Sequence, residues 1–266
     1  MNQSRISINP SDEFPHLNDP PIVEAAIFWE AVPAEPFDPV KLLELLRAKL
    51  PAYPKVSPQH EMSVEHQFGP QGVQFNQRHA WEAFQLSTDD GTYVCQFRKA
   101  GLLVSRLPPY QSWSPFRDEA VRLWDVYTEL ASPPEIQRLG IRYINLVPVK
   151  SLAEASELLK QPPRFPGDWE LPLAKYVHQY RMDVPGYPIQ LNLVQTVQPA
   201  APDSEKELNL IVDFEISSSG PKVSTDDFQS GKLFDQMRWL KNKAFFSVFS
   251  DRAIQQFKGQ NIDSRT

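Results

Sequence analysis

From Leu208 to Ser217 the chain alternates without a miss: Leu208, Leu210, Val212, Phe214 and Ile216 interleave with Asn209, Ile211, Asp213, Glu215 and Ser217. A two-residue period sorts side chains onto opposite sides of a pleated strand, so one side is set for a core and the other for a more polar surface. Strands buried on both faces read instead as continuous apolar runs, the signature of parallel sheet. The segment therefore points to an antiparallel sheet that needs cover on one side.

Other segments fit that frame. Ile22 to Trp29, introduced by Pro20-Pro21, is a β-branched and aromatic run that reads as strand. Trp81 to Ser87 leads into Asp89-Asp90-Gly91, a hairpin turn signal, and Tyr93, Cys95 and Phe97 alternate with Val94, Gln96 and Arg98 on the return. Leu102–Leu107, Ile141–Val149, Tyr176–Val184 and Ile189–Val197 are further strands, with Pro185-Gly186 suited to a type II turn. Asp38-Pro39 is an N-cap followed by proline at the first helical position, and Val40, Leu43, Leu46 and Leu50 predict a helix over 39–50. Ser114-Pro115 repeats the device ahead of the apolar stripe Phe116, Ala120, Leu123, Trp124 and Tyr127. Ser151 with Glu154 is a capping box, and Leu233, Met237, Leu240, Ala244 and Val248 mark a closing helix.

The expected fold is α+β, with antiparallel sheets from two pseudo-repeats, each running strand, helix, three strands, helix, and each sheet covered on one face by helices. The order has two explanations: an ancient duplication, or the common α+β alternation arising twice. The organisation follows as a flexible polar leader over 1–19, a first half over 20–135, a second over 136–257 and a polar tail over 258–266.

Composition narrows the chemistry. The net charge of −6 opposes broad attraction to nucleic acid or anionic lipid. Cys95 is the only cysteine, so neither an internal disulfide nor a cysteine-based zinc site can form. The first 19 residues lack a signal-peptide core, and no apolar run approaches a membrane span, so the expected location is cytoplasmic. With 10 glycines against 26 prolines, little room is left for glycine-rich phosphate loops.

Pro20-Pro21-Ile22-Val23-Glu24-Ala25 after a polar leader, Gly140-Ile141-Arg142-Tyr143-Ile144-Asn145 in mid-chain, and Leu240 with Phe245-Phe246 ahead of Ser250-Asp251 resemble the recurring signatures of a sporadically distributed, uncharacterised prokaryotic protein family. The likeness spans most of the chain, through short motifs. It implies no activity and carries over no catalytic residue. The family's patchy distribution implies mobile or accessory genes, such as defence loci.

The remaining motifs carry no specific chemistry. His60-Glu61 and Glu65-His66 bracket no zincin motif, because their histidines stand six apart; with His79 they read as solvated loop residues. Cys95 shares the apolar side of its strand with Tyr93 and Phe97, where a thiol is inert. Neither a Gly-x-Ser-x-Gly elbow nor a glycine-rich nucleotide loop occurs. Asp226-Asp227 reads as a charge complement to a helix start. Arg142 and Asn145 stand three apart, so they point to opposite faces, and Asn145 is expected to hydrogen-bond buried backbone.

Two features suit binding. Gln96, Arg98, Gln179, Arg181, Asp183, Gln190, Asn192, Thr196, Asp213 and Glu215 line the polar sides of their strands. They form either a mixed-charge recognition surface or a solvated face of cross-strand pairs. Pro108-Pro109-Tyr110-Gln111-Ser112-Trp113 and Pro162-Pro163-Arg164-Phe165-Pro166-Gly167-Asp168-Trp169 are stiff loops whose aromatics either anchor a partner or fold back over the core. The candidate binding residues are thus Arg98, Arg181, Asn192, Asp213, Tyr110, Trp113, Arg164 and Trp169. No catalytic residue, metal ligand or cofactor is expected. The expected function is a non-enzymatic interaction protein with a protein partner, of the accessory or immunity type in a defence or toxin–antitoxin locus. Two alternatives stand beside it. One is an enzyme with a carboxylate and arginine site between the halves, working with or without a divalent metal. The other is a nucleic-acid saddle drawing on Arg98, Lys99, Arg106, Arg138, Arg142 and Arg181.

Overall fold

The structure, a computed structural model, describes residues 6–69, 72–163, 175–202, 204, 206–219, 223 and 231–259. It is a mixed α+β fold with an antiparallel nine-stranded sheet in the order β2-β3-β4-β5-β1-β6-β9-β8-β7. The strands are β1 (Ile22–Glu30), β2 (Lys55–Gly69), β3 (Gly72–Ser87), β4 (Tyr93–Arg98), β5 (Gly101–Arg106), β6 (Arg138–Val149), β7 (Val177–Asp183), β8 (Ile189–Pro199) and β9 (Leu208–Ser218). The helices are α1 (Pro39–Lys49), α2 (Trp113–Ala131), α3 (Leu152–Glu157), α4 (Lys232–Val248) and α5 (Asp251–Phe257). No helix among the described residues is long and apolar enough to cross a membrane.

One compact unit comprises Ile27–Leu107 with Gln111–Gln137. Asp38 caps α1 as its sequence demands, its carboxylate accepting from the Val40 and Lys41 amides. The α2 stripe buries Phe116, Ala120, Leu123, Trp124 and Tyr127; Trp124 stacks on Trp29 at 5.1 Å and Tyr127 donates to the Ala31 carbonyl at 2.7 Å. The cap of α2 falls on Ser112, two residues earlier than the Ser-Pro signal indicates. Gly101 has φ +142°, and a Cβ there would meet the Trp29 carbonyl oxygen at 2.0 Å, so only glycine lets β5 pass.

This unit departs from the expected order, since four strands follow its first helix. The extra one is β2, which carries His60-Glu61 and Glu65-His66 in strand and not in loop. Prolines at 54 and 58 and a polar run hide it in the sequence. An edge strand tolerates them: β2 ends the sheet order, and its register with β3 shifts between Gln59 and His60.

The other unit comprises the chain up to Ala26, Pro108–Tyr110, and Arg138 onward. Among the described residues its elements from Arg138 onward run β6, α3, β7, β8, β9, α4 and α5. β6 and β9 bury Ile141, Tyr143, Val147, Leu210, Val212, Phe214 and Ile216, and Phe245 of α4 packs on Phe214 at 6.2 Å. Ser151 accepts from the Glu154 amide at the start of α3, and the Glu154 carboxylate accepts from the Lys150 amide, a capping box displaced by one residue. Residues 6–19, expected to be a flexible leader, are laid along this unit. The Ile8 amide donates to the Tyr187 hydroxyl, Trp239 Nε1 donates to Asp12 at 2.8 Å, Phe14 stacks on Phe246, and the Asp19 amide donates to the Phe257 carbonyl. A leader with four apolar side chains, Ile6, Ile8, Phe14 and Leu17, suffices to find partners, although its overall polarity conceals them. Asp226-Asp227, Arg164 and Trp169 lie outside the described residues.

Candidate functional site

The register of the second unit decides which polar side chains meet. Arg142 pairs across β6 and β9 with Glu215, Glu215 with Asn192 on β8, and Asn192 with Arg181 on β7, so one row crosses four strands on one face. The next row sets Asp213 opposite Ile144 and Val194. Charges close diagonally along the face. Arg142 holds Asp213 through Nε at 3.0 Å and Nη2 at 2.6 Å, and Arg138 holds Glu215 at 2.5 Å and the Ser217 hydroxyl at 3.0 Å. Gln179 donates to Asn192 Oδ1 at 2.9 Å, and Arg181 donates to Gln190 at 3.0 Å. Asp213 raises the Arg142 guanidinium above its ordinary value, the expected effect of a bidentate carboxylate partner.

Of the candidate residues, then, Asp213, Asn192 and Arg181 lie on one face, and each has a partner within it. Arg98 belongs to the other unit, where it donates twice to Gln96, which donates in turn to Gln85. Burial lowers the Arg98 guanidinium from its ordinary value. Of the two alternatives for Tyr110 and Trp113, the side chains take the fold-back one, Tyr110 half-buried and Trp113 buried. The Tyr110 hydroxyl meets that of Tyr143 at 3.1 Å, while Trp113 is buried edge-on against Phe116. An aromatic next to prolines has a rigid backbone to turn on, and here the core lies within its reach.

The proposed nucleic-acid cations are committed elsewhere. Lys99 pairs with Glu61 and Glu82, Arg106 is buried over the Tyr93 ring, and Arg138 and Arg142 are held by carboxylates. Cys95 is buried, and desolvation pushes its thiol far up, which suits an inert core position. Among the described residues no cluster of three His, Cys, Asp or Glu side chains can hold a metal. Asn145 behaves as its spacing predicts: it is buried, and its amide donates to the Val212 carbonyl at 3.0 Å and the Tyr143 carbonyl at 3.3 Å.

Two features were missed in sequence. The first is β7 as an edge. Leu191 and Leu193 of β8 are buried, yet their cross-strand partners Met182 and Tyr180 are 40% and 48% exposed, and Val177 is 61% exposed. The apolar cover ends between β8 and β7 among the described residues. The available signal was the Pro-rich loop at 162–172 before the strand, since a strand set off by such a loop is easily left at a sheet margin. The second is Lys241 on α4, whose amine lies 4.4 Å over the Tyr143 ring centre. Burial and the neighbouring Arg238 push that amine down to about 7.

No protein-family model and no curated protein matches the chain. Among solved structures, one described as DynU16, from the dynemicin biosynthetic locus, aligns at 12% identity over 85% of this chain and 99% of that one, with a TM-score of 0.18. A likeness at that score carries no argument about fold or function.

Proposed function

We propose that the chain works by binding, as a non-enzymatic interaction protein, and that a protein partner docks by adding a strand to the outer edge of β7. The observation that carries this reading is the exposure of Val177, Tyr180 and Met182 along a strand that ends the sheet order. An unblocked edge offers a row of backbone donors and acceptors, and natural sheets commonly guard such edges with proline, lysine or a bulge. Val177–Asp183 contains neither proline nor lysine. The partner segment is therefore an extended stretch with apolar residues to meet Tyr180 and Met182. On the opposite side it carries an acidic residue near Arg181. The setting implied by the family resemblance is an accessory or immunity-type component of a defence or toxin–antitoxin locus. A duplicated ancestor with helices over one face of the sheet and the other face left for recognition belongs to the same proposal, with four strands after the first helix of one unit against three in the other.

The test is co-expression with the products of adjacent genes, followed by amide hydrogen exchange of the purified complex. Protection gained across 177–183, and loss of the complex in a Tyr180→Lys, Met182→Lys double variant, is the expected result. A complex that leaves these amides unchanged overturns the proposal. So does a concentration-dependent homodimer that protects them, since the occupant would then be a second copy.

A further inference from the structure

A cleft with no part in the β7 edge offers a separate site. Within the unit that carries α4 and α5 lies a cleft of about 550 Å³, lined by Phe14, Pro15, Phe246 and Ile254 on its apolar side and by Lys160, Lys243 and Lys258 among its polar groups. That volume falls in the range of small-molecule sites. The aromatic wall is fixed, because Phe14 and Phe246 are stacked 5.8 Å apart and nearly parallel. One side of the cleft is thus built by the N-terminal segment, itself held by Asp12 on Trp239 and by Asn18 on the Lys258 carbonyl.

The charges are unevenly spent. Lys160 donates to the Phe246 carbonyl at 3.0 Å and stands 3.8 Å from Asp251, whose side chain is almost fully in solvent. The Lys243 and Lys258 ammonium groups have neither a hydrogen bond nor an ion pair among the described residues. Three lysines against one carboxylate leave a local excess of positive charge in a chain whose net charge is −6. A strongly hydrated ammonium gains most from an anion delivered to it, and an apolar wall gains most from an apolar body behind that anion.

We infer that this cleft binds a small anionic amphiphile, a carboxylate or phosphate group carrying an acyl or aromatic body, with Lys243 and Lys258 on the anion and Phe14, Phe246 and Ile254 on the body. Lys160 lends charge from its anchored position. Ser247 and Gln255 supply neutral hydrogen-bonding groups at the same site.

Titration calorimetry of the full chain with decanoate, decanol and inorganic phosphate separates the contributions. Decanoate is expected to bind with 1:1 stoichiometry, and to weaken as salt rises from low to physiological strength. Decanol and inorganic phosphate should each bind at least about tenfold more weakly, since each lacks half of the recognised chemistry. A Lys243→Gln, Lys258→Gln double variant, altering only surface amines, should lose about tenfold for decanoate and leave decanol unchanged. Phe14→Ala should weaken decanoate and decanol together. Equal binding of decanoate and decanol overturns the role of the lysines, and equal binding of phosphate and decanoate overturns the apolar wall. If no probe binds, the site itself is overturned, while the β7 proposal is untouched.

Discussion

β7 and β9 are both partners of β8, one on each side, and they present opposite solutions to the same position. On β9 the inward residues Leu210, Val212, Phe214 and Ile216 are fully buried, and the outward Asp213 and Glu215 are held by arginines from β6. On β7 neither face is closed: six of the seven residues, including Tyr180 and Met182, are exposed. Alternation in a sequence reports the two faces of a strand, and it is silent on whether a neighbour stands beyond it. Position in the sheet, more than side-chain pattern, separates a structural strand from one available to a partner.

The sharpest break of this comparison is apolar truncation. Phe214→Ala removes a fully buried ring packed on Phe245, and is expected to cost about 3–5 kcal/mol in denaturant unfolding. Tyr180→Ala on the facing edge should shift stability by no more than about 0.5 kcal/mol. Comparable losses at the two sites would mean that β7 is covered after all.

A second test uses the amine over Tyr143, on the strand that pairs with β9. Lys241 has a folded-state pKa of about 7, below the ordinary lysine value of 10.5, so between these values the unfolded chain holds a proton that the folded chain lacks. Stability is therefore expected to climb as pH rises through that window, and to fall as pH drops from the alkaline end toward 7. Lys241→Met keeps the hydrocarbon stem without the charge. It should raise stability at pH 8 by about 1–2 kcal/mol and flatten the climb. An unchanged profile in the variant would place the amine in water, leaving the core beneath α4 without a buried titrating group.

What was legible in the sequence follows the same physics. The strands with clean alternation, β4, β8 and β9, stand where their residues place them, because a single local period fixes each. The helices α1 and α2 are also found, but α2 starts two residues ahead of its Ser-Pro signal, and in α1 Val40 is 70% exposed while Leu42, outside the expected stripe, is buried. The opposite faces of Arg142 and Asn145 were legible for the same reason, as was the buried backbone bond of Asn145. β2 was not, since Pro58 and a polar run are compatible with an edge strand only once β3 is known to pair with it. The inward turn of Tyr110 and Trp113 depends on Tyr143 and Phe116, and Tyr143 lies 33 residues from Tyr110. The cleft depends on Phe14 meeting Phe246, a contact that no local pattern announces.

Charge gives a smaller contrast. Asp213 is nearly buried and bonded by two nitrogens of Arg142, whereas the hydrogen bond of Arg181 on β7 among the described residues goes to the Gln190 amide oxygen. Asp213→Asn keeps the shape and loses the charge-assisted pair, with an expected cost of about 1–2 kcal/mol. Arg181→Gln should cost no more than a few tenths of a kcal/mol, measured the same way. Equal costs would indicate that the polar face is held by its whole network and not by its central pair.

The smallest expected effect on stability carries the most functional weight. Tyr180→Lys with Met182→Lys places two charges on an exposed strand, so thermal unfolding should shift by no more than about a few degrees. If β7 is a docking edge, the same change abolishes strand addition, because lysine on an edge disfavours a further strand. The pair of readouts separates the two meanings of exposure. A large loss of stability would show that Tyr180 and Met182 support the fold, which β7's burial pattern speaks against. A lost complex at unchanged stability would show that they are exposed because a partner covers them.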